Sequence, residues 1–201
     1  FPTNHATAGD RICAGTYLAA AAASGGKIEI TGVEPVILVE PLKALRKMGT
    51  GLRIFGAAGP KARIRMVMER RPAGITIDTG PYPGFPTDLQ SVFLAAEASG
   101  TGESQIRETV YEARFEAAVR LASFGADVSV HGDTAIIKGR YPLLPGVVET
   151  PDLRGGAELL VAALSADGLS VVSDRGHLKR GYEDIGRDLR ILGADIEENI
   201  L

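Results

Sequence analysis

Three stretches of this 201-residue chain have the length of a helix and almost no polar face. The first runs through Leu18 and the alanines to Gly25-Gly26, the second from Leu89 to Ser99, and the third from Ala157 to Ser165. A helix that is apolar all round must be enclosed by other elements. Enclosing three of them in one small chain leaves few arrangements, and a shared central bundle is the one expected. An aspartate stands ahead of each, at Asp10, Asp88 and Asp152, where N-caps belong.

The segments after these stretches repeat as well. In the first unit, Lys27 to Thr31 alternates as a strand, with Ile28 and Ile30 on one face. A helix from Glu40 to Met48 and strands at Leu52–Phe55, Arg63–Met66 and Ile75–Ile77 come next. The second unit offers a strand at Ser104–Glu108 and a helix at Phe115–Phe124, with Phe115, Ala118, Val119 and Ala122 spaced for one face. Strands at Val128–Val130 and Thr134–Lys138 complete it. In the third unit, Ser170–Val172 reads as a strand and Tyr182–Leu192 as a helix, with Gly193-Ala194-Asp195-Ile196 after it. Gly125-Ala126-Asp127 repeats that Gly-Ala-Asp at the same point of the frame, and Gly49-Thr50-Gly51 occupies it in the first unit. Repetition at this scale governs the fold. The expectation is a single α/β domain over 1–201, made of units 1–80, 81–145 and 146–201. Its inner helices run parallel, its sheets lie outside, and its charged second helices face solvent.

Composition narrows the function. A net charge of −3 argues against a nucleic-acid or membrane-surface partner. One Cys excludes an internal disulfide, and three scattered His with one Cys form no metal motif. No cofactor is expected. The apolar run from Leu18 to Ala23 is too short to span a membrane. The N-terminus lacks the basic-then-apolar order of a signal peptide, and a cytoplasmic location is the default.

If the inner helices are parallel, their N-termini gather at one end, together with the positive poles of their dipoles. Pro83, Gly84 and Pro86 hold the chain extended just before Asp88. Asp88 then either caps its helix, at a value of about 1 kcal/mol, or meets a ligand at the helix N-terminus. Arg154, Lys179, Arg180 and Arg114 fall near the same end, the last two at matched points of the repeat. They suit a phosphate or carboxylate, or are ordinary solvated arginines. Cys13, at the start of an inner helix, reads as a packing residue.

Pro83-Gly84-Phe85-Pro86-Thr87-Asp88-Leu89-Gln90, Glu108-Thr109-Val110-Tyr111-Glu112-Ala113-Arg114-Phe115, Asp152-Leu153-Arg154 and Arg180-Gly181-Tyr182-Glu183 resemble the UDP-N-acetylglucosamine 1-carboxyvinyltransferase family of enolpyruvyl transferases. The resemblance runs over nearly the whole chain. It implies the enolpyruvyl transferase globe, an inside-out α/β barrel, two of which flank the family's active-site cleft. It implies transfer of an enolpyruvyl group from phosphoenolpyruvate to the sugar 3-hydroxyl in peptidoglycan precursor synthesis. Asp88 matches the family's base, Val110 the uridine site, Arg154 and Arg180 the phosphoenolpyruvate arginines, and Arg114 a further site arginine. A carboxylate stabilised by a helix dipole is a weak base, so its use depends on close placement.

Four positions depart from the family: Cys13 for Glu, Ala113 for Asn, Gly155 for Ala, and Lys179 for Asp. They leave open enolpyruvyl transfer to another uridine nucleotide or to shikimate 3-phosphate, and a nucleotide-binding domain without chemistry. The family's reactive Cys belongs to the other globe, and Cys13 does not match it. The further expectation is that this chain alone is inactive and works with the other globe or a partner chain.

Overall fold

The computed structural model describes residues 4, 7–56, 59 and 62–198. In chain order these form α1 (Arg11–Ser24), β1 (Lys27–Thr31), α2 (Val39–Lys47), β2 (Gly51–Phe55), β3 (Arg63–Val67), β4 (Thr76–Asp78), α3 (Thr87–Ala98) and β5 (Glu103–Arg107). They continue with β6 (Asp127–His131), β7 (Thr134–Lys138), β8 (Val147–Glu149), α4 (Leu153–Ala163), β9 (Val171–Ser173) and α5 (Ile185–Ile191).

The centre is the bundle that the three apolar stretches require. In α3, every residue from Leu89 to Ala98 is buried, and α1 and α4 are nearly as enclosed. Small residues set how closely the helices approach. A Cβ on Gly15 of α1 would collide with Leu89 at the start of α3. At the other ends of the same pair, Ser99 Oγ donates to the Ala23 carbonyl at 3.3 Å. Start meets start and end meets end, so α1 and α3 are parallel. Ser91 Oγ of α3 donates to the Arg154 carbonyl in the first turn of α4 at 3.4 Å, which brings that N-terminus to the same place. Phe85 packs edge-on against the fully buried Phe93, with centroids 5.0 Å apart.

Three separate sheets surround this bundle. The first is antiparallel in the order β1-β3-β2. The second has the order β4-β5-β7-β6, with β4 parallel to β5 and the other pairs antiparallel. The third is a parallel pair, β8-β9. The expected α/β class, with repeated units around parallel inner helices, is the one observed.

Four local expectations need correction. First, residues 115–124 do not form an α-helix. Turns lead into a 3-10 segment at Ala118–Phe124, with Val119 61% exposed. Phe115, Ala118, Leu121 and Phe124 are buried, with Ala117 beside them, and an apolar recurrence every three residues is the 3-10 period. Second, α4 begins at Leu153, four residues before Ala157, because the Asp152 side chain accepts from the amides of Arg154 and Gly155 at 2.7 and 2.9 Å. Gly155 and Gly156 lie inside the helix. A Cβ on Gly155 would strike Pro151 and Ala117, so close packing accounts for a glycine that helix propensity disfavours.

Third, α5 begins at Ile185 rather than Tyr182, with Asp184 accepting from the Arg187 amide at 2.8 Å. Its charged face is not wholly solvated, since Tyr17 Oη donates to Asp188 Oδ2 at 2.8 Å and ties α5 to α1. Residues 194–198 form no strand. Fourth, Asp88 does not cap α3, because Pro86 holds the N-cap position.

Two carboxylates are buried in the inner helices. Glu97 of α3 and Glu158 of α4 are each 1% exposed, and one oxygen of each finds no partner among the described residues. Burial pushes Glu97 up to about 8, although Ser104 Oγ donates to it at 2.7 Å. Burial, with the Asp152 charge, pushes Glu158 well above the usual carboxylate range. A group whose native state holds a proton that the unfolded chain releases loses stability as pH rises through the gap. For Glu97, stability should therefore fall between about pH 5 and about pH 8, by up to ~1.4 kcal/mol per pH unit; Glu158 acts in the same direction. Glu97→Gln keeps an acceptor for Ser104 and removes the proton. Denaturant titrations across that range should give the variant a shallower slope. An unchanged slope would show that Glu97 is ionised in the native chain.

Candidate active site

The three inner helices begin differently. At α1, Asp10 accepts from the amides of Ile12 and Cys13 at 2.7 and 3.0 Å. At α4, Asp152 does the same for Arg154 and Gly155. At α3 the N-cap is Pro86, which has no side chain with which to accept, and Asp88 lies two residues further in. The sequence frame that set Asp88 level with Asp10 and Asp152 is thus off by two residues. The shift frees the Asp88 carboxylate from capping.

The freed carboxylate is held by two arginines. Arg114 Nη2 donates to Oδ1 at 2.6 Å, and Arg154 Nη2 donates to Oδ2 at 2.9 Å. Arg154 comes from the first turn of α4 and Arg114 from the turns after β5, so three segments of chain converge on one carboxylate. The side chains are 36% exposed for Asp88 and 24% for each arginine. Such a cluster is shielded enough to be ordered and open enough to meet a ligand. The Arg114 guanidinium also stacks over Tyr111, 5.0 Å from the ring centroid.

Just before Arg114, Ala113 takes a left-handed backbone conformation, with φ of 53°. Asn, the usual residue there in the family that the sequence resembles, tolerates that region better than Ala. Ala113 holds this conformation at a local cost of about 1 kcal/mol.

Val110 is 41% exposed. Its loop is shaped by Glu108, which is buried and accepts from the Val110 and Tyr111 amides at 2.8 and 3.1 Å. The same carboxylate accepts from Thr79 Oγ1 at 2.8 Å and from Thr87 Oγ1 at 2.7 Å. Arg180 and Lys179 are exposed in a 3-10 turn, Leu178–Arg180. That turn lies against the start of α4, where Leu178 meets Gly156 and Gly181 meets Leu153.

Asp174 organises the same turn, accepting from Thr150 Oγ1 at 2.6 Å and from the amides of Gly176, His177 and Leu178 at 3.0, 3.1 and 3.3 Å. Burial acts to raise its carboxyl, but these hydrogen bonds outweigh it and hold the group below the usual range. Tyr182 reaches across to Thr16 of α1, with the hydroxyls 2.8 Å apart. Sequence reasoning passed over Glu108 and Asp174 as functional residues. An acid directly after a strand and six residues before an arginine was the available signal.

Asp88, Arg114 and Arg154 are therefore brought into direct contact, and Arg180 and Val110 sit on loops anchored beside them. Cys13 lies in the first turn of α1, half-buried. Burial first, and then the Asp10 carboxylate, push its thiol up despite the helix N-terminus. It lines a groove of about 440 Å³ with Tyr17, Ile28, Ile30, Asp188 and Ile191, apart from the arginine cluster. Among the described residues no group of three or more His, Cys, Asp or Glu is placed to hold a metal ion. No helix there is long and apolar enough to cross a membrane.

Comparison with known proteins identifies the family. Residues 2–189 match the family model described as EPSP synthase (3-phosphoshikimate 1-carboxyvinyltransferase). The chain is 39% identical over 98% of its length to a UDP-N-acetylglucosamine 1-carboxyvinyltransferase of Corynebacterium efficiens, covering 45% of that protein. It is 42% identical over 94% of its length to one from Thermotoga petrophila, covering 44%. It thus spans a little under half the length of these relatives. Among solved structures, the enolpyruvyl transferase NikO from Streptomyces tendae superposes with a TM-score of 0.79 at 29% identity, over 94% of this chain and 44% of that one. EPSP synthase from Acinetobacter baumannii shares the fold, with a TM-score of 0.77 at 18% identity. The chain belongs to the enolpyruvyl transferase family.

Proposed function

We propose that this chain is one of the two lobes of a UDP-N-acetylglucosamine 1-carboxyvinyltransferase. On this reading it supplies one wall of a cleft in which phosphoenolpyruvate and the sugar nucleotide react. The observation that carries the proposal is the Asp88 carboxylate held between Arg114 and Arg154 at the meeting point of the inner-helix N-termini. The names of relatives at about 40% identity support the choice of substrates. Coverage near 45% of those proteins supports the half-cleft reading.

In the reaction the sugar 3-hydroxyl oxygen adds to the carbon that bears the phosphate while the methylene carbon gains a proton. Loss of phosphate, together with a proton from that methyl carbon, then restores the double bond. The hydroxyl must lose a proton, and the anionic three-carbon substrate must be held against its own charge. Arg154 and Arg180 hold the phosphate and carboxylate of phosphoenolpyruvate by charge-assisted hydrogen bonds. Asp88 receives the hydroxyl proton. In the structure both of its oxygens accept from arginine. An incoming anion competes for Arg154 and draws it from Oδ2, which frees a lone pair there as the hydroxyl arrives. The base is thereby released by the substrate that needs it. Val110 and its loop receive the uridine portion, and no cofactor or metal enters the scheme.

Lys179 adds a positive charge beside Arg180. It suits the phosphoenolpyruvate end and does not by itself select the acceptor. Enolpyruvyl transfer to another uridine nucleotide is the reading that competes on the same geometry. It is separated by comparing UDP-N-acetylglucosamine with UMP in a binding titration.

Supplied with both substrates, the chain on its own should release no phosphate, because one wall can neither exclude water nor protonate the vinyl carbon. Addition of the other lobe should start turnover. Asp88→Ala in the completed enzyme should abolish turnover while the circular dichroism and melting profile stay near wild type. Normal turnover by that variant would remove Asp88 from the chemistry. Phosphate release by the purified chain alone would overturn the half-cleft reading.

Arg154→Ala and Arg180→Ala should weaken phosphoenolpyruvate more than the sugar nucleotide. Each should lose on the order of 1.5–3 kcal/mol in separate calorimetric titrations. Equal losses for both ligands would assign the arginines to structure.

A further inference from the structure

The loops that carry Arg114 and Arg180 are built by the same device. In the second unit, parallel strands β4 and β5 end at Asp78 and Arg107, which lie opposite each other, and the Thr79 amide donates to the Arg107 carbonyl at 2.9 Å. In the third unit, parallel strands β8 and β9 end at Glu149 and Ser173 in the same register, and the Thr150 amide donates to the Ser173 carbonyl at 2.9 Å. In both units a threonine comes directly after the first strand and an acid directly after the second. The threonine hydroxyl donates to the acid, at 2.8 Å for Thr79–Glu108 and 2.6 Å for Thr150–Asp174. The acid then gathers the amides that come next: Val110 and Tyr111 in one unit, Gly176, His177 and Leu178 in the other. An arginine stands six residues beyond each acid, from 108 to 114 and from 174 to 180.

Among the described residues the first unit shows no such device. The residue after β1 is Gly32, in a left-handed conformation, and the position six further on is Leu38, fully buried in a 3-10 turn. Acid and arginine are thus present together or absent together. The loop goes with a parallel strand pair, which the second and third sheets have and the described first sheet, β1-β3-β2, does not.

We propose that Glu108 and Asp174 are matched positioning residues, each folding the loop that places one arginine, Arg114 or Arg180, at the anion-binding end of the globe. Neither needs to touch substrate. Glu108 has a second duty, because its other oxygen accepts from Thr87, the neighbour of Asp88. It therefore fixes both partners of the Asp88–Arg114 pair. The inference rests on the reading of these arginines as substrate-facing.

The test is nitrogen-15 NMR on the chain, tracking the Nε–Hε signals of Arg114 and Arg180 and the exchange of the loop amides. Asp174→Ala should shift the Arg180 signal and leave that of Arg114 in place. It should also speed exchange at Gly176, His177 and Leu178 by roughly tenfold, the effect of one lost hydrogen bond each. Glu108→Ala should do the converse, and Glu108→Gln, which keeps an acceptor for the Val110 and Tyr111 amides, should restore most of the Arg114 signal. If Glu108→Ala does not fold, Thr79→Val and Thr150→Val remove a single bond from each acid and should give smaller shifts of the same pattern.

Calorimetric titration of phosphoenolpyruvate in the presence of UDP-N-acetylglucosamine supplies the second arm. Asp174→Ala should weaken binding, and adding it to Arg180→Ala should cost nothing further, since both act through one contact. Absence of binding by the wild-type chain counts against the proposed function, while the arginine signals still decide the positioning role. Arginine signals that ignore the loss of either acid, or that move together whichever acid is removed, overturn the proposal.

Discussion

One carboxylate shared by two guanidinium groups ties the site to the fold. Asp88 can accept from Arg114 and Arg154 only because it is not a cap, and it is not a cap because Pro86 occupies that place. The pairing also requires α3 and α4 to start side by side. That closeness shows in Ser91 Oγ of α3, which donates to the Arg154 carbonyl of α4 at 3.4 Å, while Gly15 lets Leu89 of the same α3 turn close against α1. A partly exposed ion pair adds little to stability by itself. Its value lies in geometry, since it fixes two cations within hydrogen-bonding distance of one anion. Preorganised charge of this kind is what a reaction that moves a phosphate needs.

Much of this was legible in the chain, and the misses have identifiable physical causes. The inner helices were visible because Leu89 to Ala98 offers no polar face, and such a helix has only one kind of place to go. The arginines could be picked out because two recur at matched points of the repeat. The cap at Asp88 was misplaced because an aspartate before an apolar run carries the same composition whether it sits at the N-cap or in the first turn. Only the backbone decides between those positions, and here the Pro-Gly-Phe-Pro segment decides it. The helix expected at 115–124 failed for a different reason. Residues 115, 118, 121 and 124 are apolar in a strict period of three, which a search for a broad helical face absorbs without notice. Glu108 and Asp174 were passed over because an acid after a strand is common. Their role shows only when the threonine on the neighbouring strand is seen beside them.

The repeat is unequal in a way that bears on function. Units two and three each carry the threonine–acid loop and its arginine, whereas the first unit has Gly32 and Leu38 at those points. Among the described residues, the threonine–acid loop thus occurs in two of the three units. The charged cluster is correspondingly off-centre, at the junction of α3 and α4. Cys13 and the groove beside α1 lie apart from it, with a thiol that burial and Asp10 keep protonated.

The most direct test of this account is the separation of Asp88 from Arg154 in a crystal structure of the enzyme that carries this chain, bound to UDP-N-acetylglucosamine and phosphoenolpyruvate. In the structure described above, Arg154 Nη2 lies 2.9 Å from Asp88 Oδ2. The expected result is that this contact opens beyond hydrogen-bonding distance, with Arg154 on the phosphate or carboxylate of phosphoenolpyruvate and the sugar 3-hydroxyl against Asp88. An intact Asp88–Arg154 pair, with both ligands bound elsewhere, would contradict it.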